Sequence, residues 1–459
     1  MASFISNIGK KSLLDLFKAD LESGTSNYYI GISSADSSSD TVYRQERARN
    51  EMNFMKVISN HSYVVPKYTW SSGQIYNAYD NDKPDQTLYY VINSNDEVFV
   101  CIEQSKDNTG TARNSTIEPT EALATAYKSR NNSFRTSDGY VWRYLFPHSG
   151  VTLERFETAS LMPVQRISAS SNIAEEAVQF SVQNQKLSGE ILSIAIDSGG
   201  TGYTVAPTIL IEGLQDSTAD AASFTAFVNN GKITKITVDS DGFGLLQHGK
   251  GYNTAKVTFT GINSSAILRP VIAPKGGIAA DPVTTLRATQ LMVQTTIQDD
   301  ESGLIPVSTD AGDPNSFKQI MLIKNPKRYD SDRLFTNLAG NTMDFFNVGA
   351  GGDFTVDEIF EGQSGNAQGK TYWHDTSNNK LYYVQNDSTG FGAFSEGETI
   401  ASVVDTAKQR TINGTGGLGD PTVDRYSGDL LYINNLDNAV SRSSTQTEDI
   451  KIILDLGTD

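Results

Sequence analysis

The chain has 459 residues and a formal net charge of -17. That charge would repel a phosphate backbone or an anionic membrane face at long range, so neither nucleic acid nor membrane is expected as a partner. Hydrophobic residues at 38% and charged residues at 20% belong to a chain that folds throughout, and its length divides into roughly two to four compact units.

At the amino terminus, MASFISNIGKKSLLDLF lacks the apolar core of a signal peptide. No later run approaches the roughly 20 apolar residues that span a bilayer, so secretion and membrane insertion are not expected. Leu13, Leu14, Leu16, Phe17 and Leu21 fall on one face of a predicted helix, with Ser12 as its N-cap and Gly24 as its stop. RQERARNEMNFMKVI gives a second predicted helix, in which Met52, Met55 and Ile58 recur at helical spacing. Strands dominate after that: LYYVIN, EVFVCIE, YVWRYLF, ILSIAID, PTILIEG, KITKITV, KVTFTG, KQIMLIK, KLYYVQ, DLLYIN and IKIILDL alternate or are β-branched between turn residues. The single cysteine, Cys101, lies in one of these runs, which excludes an intrachain disulfide and predicts a buried thiol suited to a reducing cytoplasm. The expected fold is mainly β with a minor α component: a β-sandwich-like core, a few short helices, and inserted small β-repeat modules.

Two internal duplications set the organisation. GEILSIAIDSGGTGYTVAPTILIEG opens at Gly189, and GKITKITVDSDG opens at Gly231 and resumes as GKGYNTAKVTFTG, each copy carrying a Gly-x-Gly-Tyr turn between strands. Further on, FTVDEIF at Phe354 resembles FSEGETI at Phe394, and KTYWH and KLYYVQ flank a hairpin turn. The chain thus divides into a first core segment at 1–187, an inserted module at 188–272, a middle core segment at 273–340, another inserted module at 341–410, and a carboxyl-terminal core segment at 411–459. The first module is expected to be removable, residues 190–271 giving way to a Gly/Ser linker.

Chemical motifs are thin. Gly199, Gly200 and Gly202 suggest a phosphate loop, but the segment runs on into Pro207 and a β-branched strand where anion binding needs a helix N-terminus, so a turn is expected. Asp239, Ser240, Asp241 and Gly242 open like a calcium loop without its later ligands. His61, His148, His248 and His374 are scattered, no G-x-S-x-G elbow occurs, and Cys101 has no basic neighbour. No cofactor, metal or catalytic residue is assigned.

DGYVWRYLF, from Asp138 to Phe146, reads as a glycine turn feeding a strand with Tyr140, Trp142 and Tyr144 on one face and Val141, Arg143 and Leu145 on the other. It resembles the corresponding segment of the baseplate wedge subunit of T-even-type contractile-tailed phages, the gene-eight product family. YVVPKYTWSSGQIYNAYD at 63–80, STIEPT at 115–120, FKQIMLIKNP at 317–326, YSGDLLYINNL at 426–436 and QTEDIKIIL at 446–454 resemble that family in the same order, with the two modules lying in the gaps. The resemblance implies a β-dominated structural protein without catalytic residues. It would be assembled in the host cytoplasm, carried in the virion and bound to other baseplate wedge proteins; pairing with a second copy stays open. The family motif comprises Asp138, Gly139, Tyr140, Trp142, Tyr144, Gly428 and Tyr432. Trp142 is expected to pack in the core, and Gly428 to Asn434 and Ile450 to Leu454 to close it as strands. The polar stretch between them, with Arg442, Gln446 and Glu448, is the expected partner contact. The inserts and the acidic end LDLGTD depart from the family. A receptor-binding or fibre-like protein recognising host polysaccharide is the alternative, and a polysaccharide-cleaving tail enzyme, which would need clustered carboxylates, comes third.

Overall fold

Every predicted strand run forms a strand, and the protein is mostly β, with 43% of residues in strands against 10% in helices. The computed structural model describes residues 7–33, 44–125, 133–148, 154–260, 265–274, 276–305, 316–443 and 445–456. It divides into two compact units: Met1–Leu14, Ser62–Met292 and Leu454–Asp459 form the first, Asp15–His61 and Val293–Ile453 the second.

In the first unit an antiparallel sheet orders the strands Tyr90–Ile92, Glu97–Glu103, Val141–Pro147 and Ser133–Arg135. Cys101 lies opposite Trp142 in its register, and both are fully buried. The helix Ala174–Asn184 packs against Val141–Pro147, so that strand is covered on both faces and its first six residues are all buried. This helix has no counterpart among the sequence expectations. Its Gln179 and Gln183 are buried and bond the backbone of Gln165 and Ile167, which ties the helix to the chain entering it.

The duplication at 188–272 also belongs to the first unit. Its four-stranded sheet runs Lys232–Val238, Phe224–Asn229, Thr208–Asp220, Lys250–Thr260, and beside it Ile191–Ser198 pairs with Ile267–Ile272. The two copies exchange equivalent hydrogen bonds. Tyr203 N donates to Gly231 O at 3.1 Å and Tyr252 N to Gly189 O at 3.0 Å; Ile233 N donates to Gly199 O at 2.9 Å and Ile191 N to His248 O at 3.0 Å. Both Gly-x-Gly-Tyr turns use left-handed glycines, with φ of +65° and +83° at Gly200 and Gly202 and +64° and +82° at Gly249 and Gly251, and both tyrosines are buried. The glycine run at 199–202 therefore leads into the strand Thr208–Asp220 rather than a helix.

In the second unit a five-stranded antiparallel sheet orders Ala339–Asn341, Met52–Val57, Tyr28–Ser33, Ser316–Lys324 and Asp429–Ser441. Two helix expectations need correction. The predicted second helix spans only Arg44–Asn50; from Met52 the chain is a strand, because Met52, Asn53, Phe54 and Met55 are all buried and a two-sided strand accommodates four consecutive buried side chains. The first helix runs Asn7–Glu22, which puts Ser12 inside it rather than at its cap. Of its predicted apolar face Leu14 is buried, whereas Leu13 and Leu16 are exposed.

The second duplication curls into a small barrel. Strands order Gln409–Thr411, Thr399–Ser402, Ile359–Gly362, Gln368–Asp375, Lys380–Val384, Phe345–Asn347, and the Gln368–Asp375 and Lys380–Val384 pair is the expected hairpin. The ring closes where Val348 bridges Ile412 and Gly349 N donates to Thr411 O at 2.8 Å. The copies again swap equivalents: Glu361 faces Ala401 in the register, Gln363 N donates to Thr399 O, and Val403 N to Ile359 O, both at 2.9 Å. Phe346, Phe354, Phe360, Leu381, Phe394, Ile400 and Ile412 fill the interior.

Candidate functional site

The aspartate-glycine turn at 138–139 is a junction. Asp138 Oδ2 accepts from Thr116 N at 2.7 Å and Ile117 N at 3.0 Å, while Oδ1 accepts from Thr136 Oγ1 at 2.5 Å. Burial opposes its charge, but these donors outweigh burial and hold its pKa below the ordinary carboxylate value. Gly139 has φ +94°, and a Cβ there would come within 2.7 Å of Ser105 Oγ, so the turn admits glycine alone without movement. The Tyr140 hydroxyl donates to Arg113 O at 2.6 Å and accepts from Tyr76 N at 3.2 Å. Trp142 is buried between Tyr76 and Tyr140, with ring centroids 5.4 and 5.8 Å away, and Tyr144 lies 5.3 Å from Phe99. These residues thus join segments 71–77, 105, 113–117 and 136–146 into one packed framework.

Arg143 is a buried charge within this strand. Its side chain is 1% exposed and forms a two-pronged ion pair with Glu190, itself at 0%, at 2.6 and 2.9 Å, while Nε donates to Ser133 Oγ at 2.7 Å. Glu190 opens the first duplicated module. A second buried carboxylate, Glu103, pairs with Arg135 at 2.7 Å and accepts Val238 N of the module at 2.8 Å. Burial pushes its pKa up, with Arg135 opposing. His248 is wholly buried near this node, its Nδ1 3.0 Å from Ile191 O. Sequence reasoning missed the node because its partners lie 47 and 135 residues apart. The only signal was an arginine within an otherwise apolar strand.

The carboxyl-terminal motif residues lie in the second unit. Gly428 O accepts from Arg49 at 2.8 Å just before the strand Asp429–Ser441, which pairs with Ser316–Lys324 at the edge of its sheet. Leu431 and Tyr432 stay 47% and 40% exposed on that edge strand, whereas Ile450 and Ile452 are buried. Arg442, Gln446 and Glu448 do come together, but Arg442 is no free surface charge. Its side chain is 2% exposed, with Nε donating to Glu448 at 2.6 Å and Nη2 to Asp299 O at 2.7 Å, so it braces the turn from inside. The turn at 442–446 brings Glu448 and Asp299 O to the same guanidinium, and these two acceptors hold the side chain inward.

Asp239 accepts from Ser223 and Thr225 hydroxyls at 2.6 and 2.7 Å, and Asp241 caps its own turn through Phe243 N and Leu245 N. Among the described residues no group of three or more His, Cys, Asp or Glu side chains is placed to hold a metal ion. Cys101 is buried, and burial raises its pKa well above that of a free thiol. No protein-family model and no curated protein matches the chain.

Proposed function

We propose that this chain is a structural subunit of the baseplate wedge of a contractile phage tail, working by contact with neighbouring wedge proteins and without a catalytic step. One observation carries the reading: six segments, at 63–80, 115–120, 138–146, 317–326, 426–436 and 446–454, resemble the gene-eight product family in order, and both duplications fall between them. The roles of these residues support it. Asp138, Gly139, Tyr140 and Trp142 build framework, which suits a subunit whose business is to hold surfaces in place. The edge strand Asp429–Ser441, with Leu431 and Tyr432 exposed, supplies a surface of the kind a partner strand or pocket covers.

Two measurements test the proposal. Protein inventory of purified particles by mass spectrometry should find the chain among the tail components at fixed stoichiometry, and its absence from them would sink the reading. Tyr432→Lys should leave the thermal melt unchanged and weaken co-purification with the other baseplate proteins. Wild-type recovery of the complex would move the contact away from this strand.

A further inference from the structure

The segment 241–247 has no counterpart in the first copy of the module at 188–272, where Ser198 leads directly into the glycine turn at 199–202. In the second copy it folds back on itself as a small hairpin of the first unit. Ser240 bridges Leu246, Asp241 N donates to Leu245 O at 2.9 Å, and Gln247 N donates to Asp239 O at 2.8 Å. The stem is tied to the neighbouring chain: Ser223 N donates to Gln247 O and Asp239 N to Ser223 O, both at 3.0 Å, while the Asp239 carboxylate accepts from the Ser223 and Thr225 hydroxyls. Asp241 closes the tip. Its Oδ1 accepts from Phe243 N and from Leu245 N, both at 2.9 Å, and its carbonyl accepts from Gly244 N at 3.0 Å.

What this hairpin holds out into water is an aromatic ring. Phe243 is 89% exposed, more than any other aromatic side chain among the described residues. The residues on either side of it, Gly242 and Gly244, carry no side chain to cover it, and even a Cβ added at Gly242 would meet nothing within 4 Å. A ring so exposed adds nothing to the packing of its own chain. On a backbone already fixed by Asp241, with only its side-chain torsions left to order, it loses little freedom on entering a pocket, which is the property of an anchor residue. The hairpin is also one-signed: Asp239 and Asp241 lie in 239–247, and no lysine or arginine does.

Ring and charge together select the occupant. An anionic bilayer would repel a hairpin bearing carboxylates on a chain of net charge -17. A second copy docked hairpin to hairpin would set the same carboxylates against one another. A protein pocket that is apolar at its floor and basic at its rim answers both the ring and the charge beside it. We propose that the hairpin 239–247 is a docking finger, whose Phe243 ring enters an apolar socket rimmed by lysine or arginine on a different protein. This rests on the wedge reading for the partner, a neighbouring wedge protein, and adds a contact in the first unit to the one at Tyr432 in the second.

Co-purification of the full chain with the other baseplate proteins is the test, alongside a thermal melt of each variant. Phe243→Ser should lower recovery of the complex about tenfold with an unchanged melt, since the ring is exposed in the free protein. Phe243→Leu, which keeps an apolar tip, should lose less. Asp241→Ala unlocks the turn while keeping the ring and should cost severalfold, and recovery should fall as salt is raised. With the photoreactive p-benzoylphenylalanine at position 243, cross-links should concentrate in one peptide of one other protein, apolar with lysine or arginine beside it. A wild-type chain that retrieves no baseplate protein sinks the wedge reading and this inference with it. Where wild type does retrieve them, equal recovery by Phe243→Ser overturns the finger alone and leaves the wedge reading standing. Cross-links to a second copy of this chain overturn the choice of partner, and cross-links scattered over many proteins overturn the socket.

Discussion

The module at 188–272 and the barrel at 345–419, whose last strand Leu418–Gly419 pairs with Phe345–Asn347 beyond the expected boundary at 410, are each two copies of one motif exchanging equivalent hydrogen bonds, yet different chemistry secures them. The barrel is sealed by its own aromatic interior, Phe346, Phe354, Phe360 and Phe394 among it. The first module instead shares buried charge with the sheet beneath it, through Arg143 with Glu190 and through Glu103 with Val238 N. Apolar closure is local and is expected to survive separation from its surroundings. A buried ion pair is stable only while both partners stay, because either charge left alone keeps its desolvation cost. Duplication in sequence therefore fixes how a module folds and says little about whether it stands by itself.

Excision gives the largest contrast. Both stems are closed by a backbone bond, Ala273 N to Glu190 O and Thr422 N to Asn341 O, each at 2.9 Å, so a short Gly/Ser linker can bridge either gap. Replacing 345–419, which keeps Asp344 as the partner of the buried Arg425 at 3.1 Å, is expected to leave a soluble protein that unfolds cooperatively in urea. Replacing 190–271 strips Glu190 from Arg143, and the product is expected to be molten or aggregated unless Arg143→Met is made as well. A cooperative fold for the second deletion with Arg143 in place would erase the distinction between the modules.

Point substitutions sharpen it. Arg143→Ala removes the two-pronged partner of Glu190, whose side chain is 0% exposed, and should cost about 3 to 5 kcal/mol in chemical denaturation, whereas Arg143→Met with Glu190→Met should recover most of that loss. Phe360→Ala opens a cavity in the barrel at a similar cost of about 3 to 5 kcal/mol. No partner substitution is expected to restore it, since what is lost is packing and not charge balance. Hydrogen exchange should place the first loss around 133–147 and 188–272 and the second within 345–419.

Much of this architecture was legible beforehand, and the gaps have physical causes. Strand positions were readable because β-branched and aromatic runs between turn residues favour pleated, half-buried backbone, and Trp142 was rightly placed in the core. The burial of Arg143 was not legible, because an arginine in a strand ordinarily marks a solvated face and this strand is buried along both. Met52 and Met55 mimic a helical stripe, since buried residues three apart satisfy that period whether or not the strand they belong to is buried on both faces. Arg442 looked exposed in a polar stretch; its partner Glu448 lies across a turn whose closure composition cannot reveal. The exchange of hydrogen bonds by Tyr203 and Tyr252 between copies is not a property of neighbouring residues, so no local pattern could show it.

Acid should separate the modules by a smaller margin, through His248. This side chain is wholly buried beside Arg143, Arg135 and Glu190, and burial first, then the Arg143 charge, depress its pKa to about 4 against an unfolded value near 6.5. Between those two values the unfolded chain binds a proton that the folded chain refuses, so stability falls as the pH drops from 6.5 toward 4 and levels off below. The full loss amounts to roughly 3 kcal/mol, at about 1.4 kcal/mol for each unit of depression. Its twin position in the first copy is Gly199, which carries no titratable group, so the effect belongs to one half of the module. His61 and His148 are also depressed, chiefly by burial, and add to the acid slope of the whole protein, so the wild-type curve alone is not diagnostic. The informative quantity is the difference between wild type and His248→Gln in urea-unfolding free energy from pH 7.5 down to pH 4. That difference should shift steadily in favour of the variant as the solution is acidified. Parallel curves would mean that His248 takes up its proton in the folded protein, and that the buried node tolerates a further positive charge beside Arg143.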